Sequence, residues 1–337
     1  MKRNLQVLAT LASAVTFVFG LSACSTPLAE EKSLIVYSGR SQEFIAPFLE
    51  EFTKETGISV ELRFGDSAAL AAQILEEGNN SPADVFLSQD AGSLGAVNSA
   101  GLVVALDADL LSRVPVEFQA KDGGWVGITG RARVMVYSPG RVSTLPKTVD
   151  DLTAPEWKGR LGIAPTNASF QAFVTAMIQA RGEENTENWL RAIKANKPTL
   201  FEKNSQIVEA VDAGSIDLGL VNHYYIWEVE EELKRVINAK IEFFQPGDLG
   251  NLINASGGAI LKSSKNQDSA RKLLEFLISD AIQEKFVTDT HEYSLVDSSL
   301  KPNGVPALKD IKAPSVDLSS LSGLEQTQAL LIKVGLI

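Results

Sequence analysis

The positions of hydrophobic residues predict alternating strands and helices in the first part of the chain. Residues 34–37 and 84–87 are short apolar runs, typical of buried strands, and residues 58–64 alternate between apolar and polar. Between these runs, apolar residues recur at helical spacing over 44–52 and 67–77, and a glycine ends each segment. Strands and helices that alternate in this way predict a parallel sheet covered by helices.

Two longer β-prone runs predict connections between two such units. Residues 125–137 form one run, with an interruption at 129–131, and residues 254–261 form the other. Either run could pass from one α/β domain into a second, with a cleft between the two. The remaining pattern predicts strands at 161–164, 216–221 and 241–244, and helices at 169–181, 189–195, 205–214 with Ser205 as its cap, 226–239, 267–286 and 324–334.

Size and charge restrict the classes of protein. The chain has 337 residues, which is enough for two domains with a sizeable core, and 45% of them are hydrophobic. The formal net charge of −11 argues against a nucleic-acid partner and against a polybasic contact with a membrane.

The first 23 residues resemble a bacterial lipoprotein signal. Two basic residues precede an apolar stretch at 5–19, and Leu21-Ser22-Ala23-Cys24 then places small residues before the only cysteine of the chain. The resemblance implies cleavage before Cys24 and lipidation of its sulfur. An ordinary signal peptide with an incidental cysteine is the alternative. Residues 24–32 are polar, as expected of a tether between lipid and fold.

Two adjacent tyrosines stand where a predicted buried strand gives way to a helix. After residues 216–221 come Asn222 and His223, and then Tyr224 and Tyr225. Ligands of open α/β sheets gather at the carboxyl ends of strands, and nearby positive charge favours the ionised form of a phenol. A pair of phenolates requires a strong, hard cation, for which ferric iron is the obvious candidate. The alternative is that both tyrosines simply pack at a helix start.

Further boundaries between predicted elements also carry polar clusters, at residues 38–41, 88–90 and 167–169. Free amides at a helix start bind anions, and Arg40, Arg131 and Arg133 could add fork-shaped donors. The alternative is local, with side chains that cap helices and arginines that pair with surface acids. Convergence of these clusters on one predicted cleft favours an anion-binding site.

The sequence offers little support for catalysis. His223 and His291 are its only histidines, and the common motifs for a nucleophilic serine, a zinc protease or a phosphate-binding loop are absent from it. His291-Glu292-Tyr293 is typical of a loop that satisfies its own hydrogen bonds.

Several short motifs match one family when they are taken together. They are Val36-Tyr37-Ser38-Gly39, Gly65-Asp66, Ser81-Pro82-Ala83-Asp84-Val85-Phe86, Gly130-Arg131-Ala132-Arg133-Val134, Pro165-Thr166-Asn167, Lys203-Asn204-Ser205 and Asn222-His223-Tyr224-Tyr225. With them, nearly all of the chain after the signal resembles the periplasmic ferric-ion-binding proteins of bacterial ABC importers. The resemblance implies an α/β, two-lobed type II periplasmic-binding fold, in which two parallel-sheet domains are joined by two crossing strands and close on the iron. It also implies Tyr224 and Tyr225 as iron ligands, and a synergistic anion held at Asn167, Ala168, Ser169, Asn204 and Asn222.

Three positions depart from the family pattern. Well-known members place a histidine ligand where this chain has Ser41 and a glutamate ligand where it has Gln89, and others carry a third tyrosine at Phe170. Two phenolates alone leave an octahedral Fe(III) shell open, so we expect carbonate or phosphate to complete it. Arg40 and Arg131 are the expected holders of this anion. The residues that could instead contact the metal, or lie just behind it, are Asp90, Gln89, Ser41 and His223.

These patterns predict an exported solute-binding protein. We expect it to be anchored by lipid on the outer side of the cytoplasmic membrane or in the periplasm, to act as a monomer and to deliver ferric iron to an ABC permease. The alternative within the same fold is a binder of a small oxyanion such as phosphate or a phosphonate, and a rival class is an extracellular enzyme or sensor domain. The predicted lobes comprise residues 33–130 with 256–305, and residues 131–255 with 306–337.

Replacing Cys24 with alanine tests the predicted anchor. Stable attachment takes more than one acyl chain, and bacterial lipoproteins carry more than one. We therefore expect Cys24→Ala to move the protein from the membrane to the soluble fraction, or to leave it unprocessed. Cell fractionation followed by immunoblotting would show the difference. Recovery of the unaltered mature protein in the soluble fraction would count against the prediction.

Overall fold

Two long antiparallel strands run through the middle of the fold. In the computed structural model, which describes residues 33–318 and 323–337, strand β4 (Val126–Tyr137) pairs with strand β9 (Ile253–Ile260). The predicted signal, the tether and Cys24 lie outside the described residues. The first part of β4 pairs with β9 and its second part pairs with other strands, so β4 belongs to both halves of the sheet.

Parallel strands flank β9. Strand β1 (Ser33–Ser38) lies between β2 (Ser59–Phe64) and β3 (Val85–Ser88) and is parallel to both. Strand β3 then pairs antiparallel with β9. The three parallel strands confirm the strand–helix alternation expected from the first part of the sequence.

A second parallel set flanks β4. Strand β7 (Leu218–Asn222) pairs antiparallel with β4 and parallel with β5 (Leu161–Ile163), and β5 pairs with β6 (Thr199–Leu200). The short strands β8 (Lys240–Glu242) and β10 (Tyr293–Ser294) also pair with β4. The order along the sheet is therefore β2-β1-β3-β9-β4-β7-β5-β6.

Amphipathic helices cover these strands. In α1, for example, the predicted face of Ile45, Phe48, Leu49 and Phe52 is buried, and Gly57 ends the helix in a left-handed conformation. Within the described ranges, no helix combines the length and the hydropathy needed to cross a bilayer. The helices are α1 (Gln42–Thr56), α2 (Ser67–Glu77), α3 (Ala91–Ser99), α4 (Ala108–Leu111), α5 (Ala168–Arg181), α6 (Glu183–Ala195), α7 (Asn204–Asp212), α8 (Tyr225–Leu233), α9 (Gln267–Leu277), α10 (Asp280–Thr290), α11 (Leu308–Ile311) and α12 (Leu324–Val334).

Residues 129–131, where the sequence predicts an interruption, pair regularly with β9, and a shift in register lies just before them. Strand β4 continues through these residues, and its pairing with β9 shifts between Gly127 and Thr129. An extra residue of this kind bends a strand and increases its twist without ending it. The prediction of a break was therefore wrong.

Three helix predictions also need correction. Ser205 does not cap α7, because the helix begins one residue earlier and the Gln206 side chain accepts hydrogen bonds from two backbone N–H groups before it, at 3.1 Å each. The predicted helix 226–239 is too long, because Lys234 adopts a left-handed conformation (φ 52°) and ends α8. The predicted helix 267–286 is two helices, α9 and α10, with a break between them.

Asp84 connects the edge of β3 to the segment before α9, and its removal should destabilise the fold. The buried carboxylate accepts hydrogen bonds from the Ile35 N–H at 2.9 Å, the Ser264 hydroxyl at 2.6 Å and the Asn266 amide at 3.3 Å. We expect Asp84→Ala to lower the free energy of unfolding by about 3 kcal/mol, because it leaves these donors without an acceptor. Chemical unfolding measures the loss. Glu284→Ala, on the exposed face of α10, is the control, and an equally small effect in both variants would contradict the prediction.

Candidate metal centre

The tyrosine pair lies at the junction between β7 and α8. Strand β7 ends at Asn222, His223 follows, and Tyr224 and Tyr225 form the start of α8. The two tyrosine rings stack with their centroids 4.3 Å apart and their planes at 29°, and both side chains are half-buried. Burial, together with the neighbouring Tyr224 and a hydrogen bond to it, raises the pKa of Tyr225. Tyr225 is therefore a neutral phenol at neutral pH until a cation displaces its proton.

His223 holds this junction in place from behind the tyrosines. It is fully buried, its backbone N–H donates to the Ala132 carbonyl oxygen at 2.9 Å, and its ring Nδ1 accepts from the Ala132 N–H at 3.2 Å. The other ring nitrogen, Nε2, donates to the His291 carbonyl oxygen at 2.7 Å. Burial lowers the pKa of His223 to about 4, so the ring is neutral at neutral pH. Since both nitrogens are engaged, His223 supports the tyrosines and has no free nitrogen for a metal.

Arg40 and Arg131 share one buried carboxylate beside the tyrosines. Arg40 follows β1, Arg131 lies on β4, and both side chains are buried. The Nη2 of Arg40 donates to Glu292 Oε1 at 3.0 Å, and the Nε of Arg131 lies 3.8 Å from the same oxygen. Both guanidinium groups interact electrostatically with Tyr224, and Arg131 also with Tyr225. The structure thus brings two of the predicted anion holders to the tyrosine pair.

A third guanidinium group, that of Arg133, is buried near Tyr225 without a carboxylate partner. Its Nη1 donates to Ser169 Oγ at 3.4 Å, and the rings of Phe170 and Phe173 lie 5.3 and 5.0 Å from its Cζ. Burial lowers the pKa of Arg133 to about 9, and the negative charge that Tyr225 can carry opposes this shift. Among the described residues no acidic side chain lies within ion-pair distance, and the Nε has no hydrogen-bond partner. The group is thus positioned to attract negative charge.

Three of the predicted anion residues form one cluster at the start of α5. Asn167 caps the helix, with its Oδ1 accepting from the Ser169 N–H at 3.0 Å. The amide of Asn204 donates to Ser169 Oγ at 3.0 Å and to Asn167 Oδ1 at 3.2 Å. Asn204 is fully buried, yet its own Oδ1 has no partner. Asn222 lies opposite Arg133 in the pairing of β7 with β4, so the structure connects this cluster to the tyrosine junction.

The remaining predicted residues line two grooves. Ser41 is exposed just before α1 and lines the same groove as Tyr224. Gln89, Asp90 and the exposed Ala168 line the other groove. Ser41 and Gln89, the two positions where the family resemblance implies further metal ligands, thus line different grooves.

Gln89 and Asp90 both make contacts within the protein. The Gln89 side-chain amide donates to the Gly39 carbonyl oxygen, and its oxygen lies 3.5 Å from the Nη1 of Arg131. The Asp90 carboxylate caps α3 by accepting from the Ser93 N–H at 2.8 Å. Direct coordination of a metal by Asp90 would compete with this cap.

Sequence reasoning missed Glu292 and underrated Arg133. The sequence around Glu292 predicts a self-contained loop, but its carboxylate pairs with Arg40 at a separation of 252 positions, which no local pattern reveals. A signal for Arg133 was present, because residues 129, 131 and 133 are polar and alternate residues of a strand share one face. That alternation predicts a polar row along β4.

The surroundings of the tyrosines carry an excess of positive charge. Three buried arginines and one buried glutamate lie around or behind the pair. Such an excess favours phenolates and dissolved anions, and burial strengthens the effect. No group of three or more His, Cys, Asp or Glu side chains in the described part of the chain could hold a metal ion. The tyrosine pair beside these arginines stays the predicted metal site.

Fold and site together define the class of this protein. Two sets of parallel strands, joined through antiparallel β4 and β9 with the polar site at their junction, form a type II periplasmic-binding fold. Residues 34–289 match the family of bacterial extracellular solute-binding proteins, and the chain belongs to that family. The fold class and the family resemblance expected from the sequence are confirmed. The boundaries of the two lobes stay a prediction.

Several relatives carry names that specify iron. The Fe(3+)-binding periplasmic protein of Serratia marcescens is 36% identical, in an alignment that covers 99% of this chain and 98% of the relative. The major ferric iron-binding protein of Neisseria meningitidis is 35% identical over 94% of this chain and 96% of its own. The crystal structure of iron-bound HitA from Pseudomonas aeruginosa has a TM-score of 0.84 and 32% identity, and the match covers 90% of this chain and 99% of HitA.

The buried imidazole of His223 predicts a pH dependence of stability. In the unfolded chain its ordinary pKa of 6.5 lets it take up a proton as the pH falls, whereas the folded protein binds that proton only near pH 4. The folded state therefore loses stability as the pH falls from about 6.5 to about 4, by up to about 3 kcal/mol. We expect His223→Gln to lose less stability than wild type across this window, as measured by urea unfolding of iron-free protein.

His291→Gln is the matched control, because it removes the other histidine, which is partly exposed. It should lose stability with falling pH as the wild type does. Equal losses in wild type and His223→Gln would show that the buried ring does not cause the dependence.

Proposed function

We propose that this protein captures ferric iron outside the cytoplasm and delivers it to an ABC permease. The observation that carries the proposal is the stacked pair of Tyr224 and Tyr225 in a site rich in buried arginine. Relatives named for ferric iron align with nearly the whole chain, which supports iron as the cargo. The same names support a role in binding rather than in catalysis.

Tyr224 and Tyr225 bind the iron as phenolates. Fe(III) is a hard ion that prefers anionic oxygen, and its charge displaces phenol protons at a pH where a free phenol keeps them. The two rings stack with their centroids 4.3 Å apart, which supports both phenol oxygens as ligands of one cation. The guanidinium groups of Arg131 and Arg133 stabilise the negative charge that develops on Tyr225.

A dissolved anion, carbonate or phosphate, completes the coordination of the iron. Two phenolates and Glu292 together balance the three buried arginines, so Fe(III) leaves the site positively charged. A dianion reduces that excess, and charge-assisted hydrogen bonds from Arg40 and Arg131 hold it. Among the described residues the Nε of Arg131 and that of Arg133 have no hydrogen-bond partner, which supports donors for a ligand. The polar side chains that add further contacts are Asn167, Ser169, Asn204 and Asn222.

An oxyanion as the only cargo, such as phosphate or a phosphonate, is not favoured. The names of the relatives specify ferric iron, and a site for an oxyanion alone has no need of two adjacent phenols. Visible absorbance after addition of ferric iron separates the two functions, since charge transfer from phenolate to iron is coloured.

The transport role requires export, and relatives named as periplasmic proteins support it. The lipid anchor on Cys24 and the monomeric state belong to the same proposal. We also propose that the two lobes close over the iron by bending at the crossing strands β4 and β9. In the closed form the tyrosine pair lies against the side of the cleft that carries Arg40 and Gln89.

Ferric titrations with and without anion test the proposed function. In buffer stripped of carbonate and phosphate we expect weak binding and weak colour, and restoring either anion should strengthen both. Tyr225→Phe keeps the ring but removes an anionic ligand, so ferric affinity should fall by more than about a hundredfold, beyond the effect of changes behind a metal ligand. Tyr137→Phe, at the end of β4, is the matched control and should bind as wild type does. Visible absorbance and competition with a chelator measure the affinities.

Two further variants show whether a dissolved anion or Asp90 supplies the remaining ligands of the iron. If an arginine-held anion completes the shell, Arg40→Ala should need about tenfold more carbonate or phosphate for the same ferric loading. Asp90→Ala should respond to the anions as wild type does. Tight binding without any anion, lost in Asp90→Ala but kept in Arg40→Ala, would overturn the role of the anion.

A further inference from the structure

Glu292 engages the same two arginines that a dissolved anion would use. Its side chain is 1% exposed, and its Oε1 accepts from Arg40 at 3.0 Å and lies 3.8 Å from the Nε of Arg131. Among the described residues it is the only acidic side chain that forms an ion pair with either arginine. Glu292 therefore neutralises part of the positive charge available to a ligand.

Contacts on several sides keep this carboxylate in place. Its Oε2 accepts from the Thr129 hydroxyl on β4, and that hydroxyl lies 2.5 Å from Ser256 Oγ on β9. Before it, the His291 carbonyl oxygen accepts from the imidazole behind the tyrosines, and after it Tyr293 belongs to β10, which pairs with β4. Glu292 is thus tied to both long strands and cannot rotate away without breaking these contacts.

The arginines near the tyrosines differ in how much of their charge is already balanced. Arg133 has no carboxylate partner, whereas Arg40 and Arg131 share Glu292. In the described part of the chain the Nε of Arg131 still has no hydrogen-bond partner, so the hydrogen-bonding capacity of Arg131 is not fully used. Because interactions between charges are strong in a buried site, Glu292 repels any anion that Arg40 and Arg131 attract.

We propose that Glu292 is a positioning residue that acts as an internal carboxylate, orienting Arg40 and Arg131 and weakening their hold on the dissolved anion. The inference rests on the proposed anion-assisted capture of iron, and it adds the residue that sets the affinity for the anion. Without a neighbouring carboxylate, the two arginines would bind phosphate tightly enough to retain it after the iron had left. With Glu292 in place, the arginines stay paired and the anion can dissociate.

Calorimetric titration of the iron-free protein with inorganic phosphate tests this role. Glu292→Gln keeps the shape of the side chain and an oxygen that accepts from Arg40, but it removes the charge. We expect it to bind phosphate about tenfold more tightly than wild type, because one unit of negative charge is lost from a buried site. Glu292→Asp, which keeps the charge, should bind phosphate as wild type does. A merely structural role would give the opposite order, with the largest loss in the variant that disturbs packing most.

Glu187→Gln is the matched control for the loss of a carboxylate. Glu187 forms ion pairs with Arg191 and Lys333, and its replacement should leave phosphate binding unchanged. Unchanged or weaker phosphate binding by folded Glu292→Gln would overturn the proposal.

A charge-neutral pair of changes keeps the test valid if Glu292→Gln does not fold. The double variant Arg40→Gln/Glu292→Gln removes one charge of each sign and should bind phosphate about tenfold more tightly than Arg40→Gln alone. Equal affinities in these two variants would also overturn the proposal. Failure of the proposed function is distinguishable, because wild-type ferric binding would then not respond to carbonate or phosphate at all.

Discussion

The antiparallel pairing of β4 with β9 is the constraint on which the rest of the structure depends. Strand β4 contributes its first part to this pair and its second part to β7 and β8, so it joins both sets of parallel strands. Because alternate residues of a strand share one face, Thr129, Arg131 and Arg133 form a polar row along it. At one end of this row Thr129 donates to the carboxylate of Glu292, and at the other end Arg133 donates to Ser169 at the start of α5. Arg131, between them, interacts electrostatically with the tyrosine pair.

Burial of this row carries a free-energy cost that the protein's own residues offset only in part. Moving a charged group out of water is unfavourable unless a group of opposite charge or several hydrogen bonds compensate it. Glu292 compensates Arg40 and Arg131, whereas Arg133 has weak hydrogen bonds and two phenylalanine rings. The proposed anionic ligands would complete the compensation, and a ligand that binds only the folded form also stabilises it. The proposed function therefore couples binding to stability at this site.

The neutral side chain of Gln89, where the family pattern has a glutamate, also affects the charge balance of the site. The family resemblance implies a glutamate ligand at this position, whereas here a neutral amide lies 3.5 Å from Arg131. A carboxylate in its place would pair with that arginine and remove positive charge from the site. The chain keeps the charge, in agreement with the proposal that it takes an anionic iron ligand from solution.

The sequence by itself determined the features that depend on neighbours along the chain. Apolar runs, helical spacing and terminal glycines predicted most of the strands and helices in the described residues, although they missed α3, α4, α11, β6 and β10. Short motifs predicted the family and Tyr224 and Tyr225 as the iron ligands. The tertiary structure alone decided which charges meet: Arg40 pairs with a carboxylate 252 positions away, and Arg133 lacks one because β4 packs it against α5. It also decided that α8 ends at Lys234, a residue type that carries no stop signal. Periodicity is a property of consecutive residues, whereas ion pairs join residues that only the fold brings together. The sequence could therefore predict a metal site, but the charge balance of that site follows only from the packed structure.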